Sequence, residues 1–240
     1  MKDAILAIDQ GTTSSRAIIV DSSGEVLHME QEEIITHFPS NGWVEQDPEE
    51  IWNKTQKVIF QALKKSDYLK TKILAMGITN QRETIVVWDK ITGKALYNAI
   101  VWQDRRTAEF CKKFKTNNRE KIINRKTGLL IDPYFSATKI KWIIENIPIA
   151  KKLITKKQLL FGTVDTYLLW KLTRGSSHAT DATNACRTML YNITTNKWDE
   201  DILKSLNIPK HILPEVKDSS DYYGLTHASI TGKSYSITGV

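Results

Sequence analysis

Two cysteines, Cys111 and Cys186, are all that the 240 residues contain, and they form no redox or metal-ligand spacing. The five histidines form none either, which excludes a zinc site and a disulfide framework and points to a reduced, cytoplasmic protein. No apolar run approaches membrane-spanning length, and Lys2-Asp3 opens the chain without a signal-peptide pattern. No Gly-x-Gly-x-x-Gly follows an expected strand. Gly232-Lys233-Ser234 resembles the tail of a phosphate-binding P-loop, but His227 stands where that loop requires its first glycine. Internal repeats and low-complexity linkers are also missing.

The formal charge of +7 is unevenly spread. Residues 1–100 carry 11 Lys/Arg against 14 Asp/Glu, and the rest carry 23 against 13, so the positive excess lies entirely in the second part. It consists of scattered lysines such as Lys151-Lys152 and Lys156-Lys157, without interleaved aromatics, so nucleic acid is not an expected partner. A solvated lysine surface, or a field attracting anionic substrates, is the simpler meaning. The 41% hydrophobic content suffices for a buried core.

An apolar run, Ala4 to Ile8, precedes the polar turn Asp9-Gln10-Gly11-Thr12-Thr13-Ser14-Ser15-Arg16, and the β-rich Ala17 to Val20 follows it. Gly24 to Ile35 reads as a third strand. Asp47-Pro48-Glu49-Glu50 then starts a helix: Asp47 caps free N–H groups, Pro48 suits the first turn, and Glu50 completes a capping-box-like pair. Ile51, Val58, Ile59 and Leu63 recur at helical spacing, for packing on the sheet. Residues 72–79 form a buried-type strand that runs into Asn80-Gln81-Arg82-Glu83-Thr84. Residues 85–88 and 99–102 read as a hairpin whose polar end, Gln103 to Arg106, opens a helix toward Phe114. Residues 115–160 read as mostly helical, broken at Gly128 and Pro148, with a loop from Asp132 to Ser136. Beyond them come a strand-to-helix or helical stretch over 159–172, a short helix over 198–206, and a final strand over 234–238.

Two places carry candidate chemistry. In the first turn, a carboxylate beside glycine and four hydroxyl residues matches what a metal-bound polyphosphate needs: one hard oxygen ligand and a row of small donors. An ordinary hairpin turn accounts for the same residues equally well. At the end of the strand over 72–79, Arg82 can donate to an alcohol oxygen while Glu83 accepts its proton, with Trp102 and Tyr134 covering apolar carbons. On the residues alone, a surface ion pair and two core aromatics fit as well.

Asp9 to Arg16, Asn80 to Thr84, Val101 to Arg106, and Gly162 to Leu172 with Asp181-Ala182-Thr183-Asn184-Ala185 together resemble the glycerol kinases of the FGGY carbohydrate kinase family. Tyr134, Ser136, Lys139, Trp142, Glu145 and Asn146 match the family's first signature. The similarity runs in order through essentially all 240 residues. It implies an α/β fold: a ribonuclease H-like lobe of the actin and hexokinase type, with a mixed sheet of three antiparallel strands and then parallel strands flanked by helices. Residues 1–240 would be the N-terminal lobe, without the C-terminal one. The implied activity is transfer of the ATP γ-phosphoryl group to glycerol, giving sn-glycerol 3-phosphate.

The resemblance also assigns roles. Thr12, Thr13, Ser14 and Arg16 would meet the nucleotide phosphates, Asp9 would lie near Mg²⁺, and Arg82, Glu83, Trp102 and Tyr134 would hold glycerol. The family's catalytic base lies in a Gly-Asp-Gln segment just beyond the position of Val240, so no base is expected within the chain. Regulated relatives carry a Gly- and Arg-rich loop where Ser229 to Ser236 stands, and this stretch has no arginine. The expectation is a kinase lobe that is inactive alone and completed by a C-terminal lobe in cis or in trans. The alternatives are one chain of a split kinase, or a non-catalytic polyol-binding or decaying gene product. An exposed cleft face would also favour self-association.

Overall fold

The computed structural model describes residues 2–240. The chain opens with strands β1 (Lys2–Gln10), β2 (Ser14–Asp21) and β3 (Val26–Glu33), paired antiparallel in sequence order. Alternation drives the packing: Ala4, Leu6 and Ile8 of β1, with Ala17 and Ile19 of β2, point to one fully covered face. After the short β4 (Glu45–Gln46), helix α1 (Pro48–Tyr68) lies across that face through Ile51, Val58, Ile59 and Ala62. Its start follows the sequence: Asp47 accepts from Glu49 N and Pro48 occupies the first turn. The capping box is only half made, because Glu50 Oε1 accepts from Ile35 N instead of turning back to Asp47.

Strand β5 (Thr71–Asn80) then pairs parallel to β1. The chain then leaves this sheet for β6 (Ile85–Asp89), β7 (Ala99–Ile100), α2 (Ala108–Phe114), α3 (Asn117–Thr127), α4 (Ser136–Asn146), α5 (Pro148–Thr155), β8 (Leu159–Thr163), α6 (Val164–Leu172), β9 (Ala179–Asp181), α7 (Ala182–Ala185), β10 (Tyr191–Asn192), β11 (Lys197–Trp198), α8 (Glu200–Leu206) and β12 (Glu215–Lys217). It returns through β13 (Gly224–Leu225), α9 (Ala228–Thr231) and β14 (Ser236–Gly239): β14 adds parallel to β5, and β13 pairs antiparallel with β14.

 The resulting six-stranded sheet has the order β13-β14-β5-β1-β2-β3: the three antiparallel strands β1 to β3, then β5 and β14 parallel to β1, as expected of a ribonuclease H-like lobe, with the two-residue β13 antiparallel at the edge.

The structure adds a second sheet that the sequence reading did not separate. It has four strands, in the order β4-β7-β6-β8, and β8 pairs antiparallel with β6 over Ile85↔Thr163 to Asp89↔Leu159. This sheet divides two cores. Val86 and Trp88 of β6 face the first core with α1 and α6, while Ile85 and Val87 face the second with α4, α5 and α8. A strand covered on both faces reads as a continuous apolar run, and periodicity then cannot reveal its partner.

Most expected breaks occur where they were placed. Gly128, at φ 74°, ends α3 in the left-handed conformation, and Pro148 opens α5. The helix expected from Gln103 begins later, at Ala108, because Asp104 and Arg106 are used otherwise. Asp104 accepts from the backbone N–H of Val44 and Arg106 and pairs with the Arg106 guanidinium, which also reaches Glu45 at 2.6 Å and lies over Trp43. Residues 159–172 form a strand and then a helix.

Candidate functional site at the ends of the parallel strands

β1 and β5 run side by side and end together at Gln10 and Asn80, so the turn after one and the loop after the other share one edge of the sheet. In an open sheet with parallel strands, such carboxyl ends form the natural crevice for a ligand. Buried amides bind the two segments. Gln81 Nε2 donates to Gln10 Oε1 at 3.1 Å and to Gln46 Oε1 at 2.8 Å, and Gln46 Nε2 donates to the Thr12 carbonyl at 2.6 Å. Thr84 Oγ1 donates to Gln81 Oε1 and accepts from the Trp102 backbone N–H. A fully partnered network of this kind fixes its members relative to one another.

In the turn, Gly11 N donates to Ser14 O and closes the loop. Asp9 Oδ2 accepts from Arg16 Nη1 at 2.8 Å, and both side chains remain about a third exposed. Strand alternation sends Ser15 toward α1, where Thr55 donates to it, and Ser14 to the opposite face with Arg16. Ser14 Oγ is buried and has no hydrogen-bond partner, so a donor and acceptor at the turn stands unused. Among the described residues no group of three acidic, histidine or cysteine side chains gathers to hold a metal ion. Asp9 therefore suits only a cation that takes most of its ligands from phosphate oxygens and water, which is the habit of Mg²⁺.

The second constellation lies beside the turn. Trp102 Nε1 donates to Thr12 Oγ1 at 3.0 Å, and the Trp102 and Tyr134 rings meet edge to face with centroids 5.6 Å apart. Glu83 is buried at 4% exposure and has φ 64°, a conformation that a residue with a side chain adopts only when its surroundings hold it there. Arg82 and Glu83 do not pair with each other. Arg82 is exposed, with no hydrogen bond or ion pair to its guanidinium among the described residues, while the Glu83 carboxylate accepts from Arg187 Nε at 2.6 Å.

Arg187 is the residue that sequence reasoning missed. It follows α7 in a short 3-10 turn, and its guanidinium lies 5.0 Å from the Phe135 ring centroid and 5.7 Å from that of Tyr134. Burial opposes its charge, but the Glu83 carboxylate more than offsets this and holds its pKa above the ordinary value. The nearest sequence signal was Asp181 to Ala185, which stops two residues short.

Behind the edge sit two buried acids. Asp165, at the start of α6, accepts from Asn80 Nδ2 and Thr180 Oγ1, and burial pushes its pKa up to about 6. Burial also pushes Asp181 up, but hydrogen bonds, first from Ser219 and then from Asn184, outweigh it and hold the group below the usual carboxylate range. The Ser219 carbonyl in turn accepts from Val240 N, so this pair steadies the chain where it leaves β14.

Residues 4–236 match the N-terminal domain of the FGGY family of carbohydrate kinases. Glycerol kinases of Petrotoga mobilis and Sinorhizobium fredii are each 54% identical, over 100% and 98% of this chain and 48% of each relative. The crystal structure of Plasmodium falciparum glycerol kinase with ADP is 37% identical, with a TM-score of 0.94 over 99% of this chain and 48% of that one. Gluconate kinase from Lactobacillus acidophilus, at 23% identity and a TM-score of 0.86, shares the fold. The chain spans about half the length of the curated relatives it matches. No helix among the described residues is long and apolar enough to cross a membrane.

Proposed function

Because this chain belongs to the FGGY family of carbohydrate kinases, we propose that it is the N-terminal, substrate- and phosphate-holding lobe of a cytoplasmic, ATP-dependent glycerol kinase. The reaction transfers the γ-phosphoryl group of ATP to glycerol and gives sn-glycerol 3-phosphate. The observation that carries the reading is the union of two half-sites. A carboxylate, a guanidinium and two aromatic rings adjoin a hydroxyl-rich turn, and the Trp102–Thr12 hydrogen bond joins them.

Glycerol presents three hydroxyls on a short apolar chain. In this reading, Arg82 donates to a glycerol oxygen, and the Glu83 carboxylate, oriented by Arg187, accepts a hydroxyl proton in a hydrogen bond. Trp102 and Tyr134 cover the carbon chain and exclude water. Thr12, Thr13, Ser14 and Arg16 hold phosphate oxygens of ATP, and the unpartnered Ser14 hydroxyl fits that task. Asp9 would face Mg²⁺, which when bound neutralises charge on the phosphates. Phosphoryl transfer to an alcohol also needs a carboxylate to take the proton of the attacking hydroxyl. Asp9 is engaged with Arg16 and Glu83 with Arg187, so the proposal assigns that base, and the adenine pocket, to a C-terminal lobe in cis or in trans. An assembly of more than one copy is compatible with the same reading.

The test is to join this chain to the C-terminal half of the Petrotoga mobilis relative and follow ADP formation. Glycerol should drive turnover, gluconate and xylulose should not, and the 240-residue chain alone should give none above background. Robust turnover by the chain alone would sink the assignment of the base to the other lobe.

A further inference from the structure

Lys139, in the first turn of α4, is completely buried, and no carboxylate lies within ion-pair distance of it among the described residues. Its Nζ donates instead to two backbone carbonyls, that of Tyr134 at 2.6 Å and that of Glu83 at 3.3 Å. Ser136, one helical turn earlier on the same face, donates to the same Glu83 carbonyl at 3.1 Å. The helix carrying them is anchored in the second core by Ala137, Ile140 and Ile143, none of which is exposed. An ammonium without a counter-ion is a costly thing to bury, and an apolar side chain of similar volume would satisfy the core better. Burial pulls the Lys139 pKa down to about 7, even though Asp104, Glu83 and Asp132 act to raise it.

Both carbonyls that it holds lie outside regular elements, and both belong to residues of the proposed polyol site. One of them is Glu83, whose left-handed backbone needs holding. We infer that Lys139 is the positioning residue of that site: its buried amino group ties the Glu83 and Tyr134 backbones together and so sets the gap between the Glu83 carboxylate and the Tyr134 ring. Arg187 reaches the same two side chains, its Nε donating to the carboxylate and its guanidinium lying over the ring. The width of the gap is then a property of α4 rather than of either loop. The purpose of the device rests on the polyol reading, but the tie itself does not.

The test is hydrogen-exchange mass spectrometry on the 240-residue chain with Lys139→Met, Lys139→Gln and Ser136→Ala, alongside glycerol titrations. The amides of Thr84, Tyr134 and Phe135 are the reporters, since they close the turns around the two carbonyls. Lys139→Met should speed exchange in peptides spanning 80–86 and 131–136 at least tenfold while peptides from β1 and α1 stay unchanged. Lys139→Gln, which keeps a donor, should fall between, and glycerol affinity should weaken at least fivefold in the Met variant. Should that variant fail to fold, Ser136→Ala still decides, with faster exchange expected over 80–86 alone. Unchanged exchange in both segments, or an equal rise in every peptide, would overturn the inference. Local loosening in a chain that binds no glycerol even as wild type would uphold the tie and remove the polyol reading.

Discussion

The indole N–H of Trp102 donates to the hydroxyl of Thr12 across 3.0 Å, joining residues 90 positions apart. The aromatic wall of the proposed polyol site is thereby fixed to the proposed phosphate turn. Trp102→Phe keeps an apolar cover but removes the bond, which is worth about 1 kcal/mol. In the completed enzyme it should raise KM for ATP as well as for glycerol. Steady-state kinetics varying each substrate in turn will show whether both move; an effect on glycerol alone would mean that the bond does not couple the two half-sites.

Ser14→Ala separates stability from function. Its hydroxyl is buried without a partner, so removing it should leave thermal stability of the chain unchanged or slightly higher, while nucleotide affinity falls. Thermal unfolding and ADP titration on the same samples check this. A marked loss of stability would show that the hydroxyl serves the fold.

Arg187→Gln tests the partner of Glu83. Removing one member of a mostly buried pair leaves the other charged and dry, at a cost of about 2 kcal/mol here because Arg187 keeps some exposure. Urea unfolding should register that loss, and glycerol affinity should fall with it. Wild-type stability in the variant would mean that Glu83 finds another partner.

Asp165 gives a pH signature. Its folded pKa is raised to about 6 from 3.8, so between these values the folded state holds more protons than the unfolded one and stability falls as pH rises. The cost is complete above about pH 6 and absent below about pH 4. Asp165→Asn should therefore be more stable than wild type at pH 8 and lose that advantage on acidification. Melting temperatures from pH 4 to 8 check the sign, and no gain at pH 8 would refute it.

The first sheet was readable because β1, β2 and α1 each carry one apolar face, and because Asp47-Pro48 marks a helix start whatever its surroundings. The turn at Gly11 and the polar ends at Asn80 to Thr84 were legible for the same local reason. The second sheet was not, since β6 and β8 are covered on both sides and their apolar runs do not name a partner. Nor was the Glu83–Arg187 pair, whose members stand 104 residues apart and meet only through the packing of α4 and α7 around them. Arg82 and Glu83, adjacent in sequence, fitted a surface ion pair, whereas Glu83 pairs with Arg187 and Arg82 stays exposed. Lys139 was noticed only as part of a family signature; nothing local announces that an ammonium will be taken wholly inside.

If Arg82, Glu83, Trp102 and Tyr134 hold glycerol, KM for glycerol in the completed enzyme depends on each of them. Arg82→Ala and Glu83→Ala should each raise it by roughly thirtyfold, the equivalent of about 2 kcal/mol for a lost charge-assisted hydrogen bond. Unchanged glycerol KM in both variants would place glycerol elsewhere.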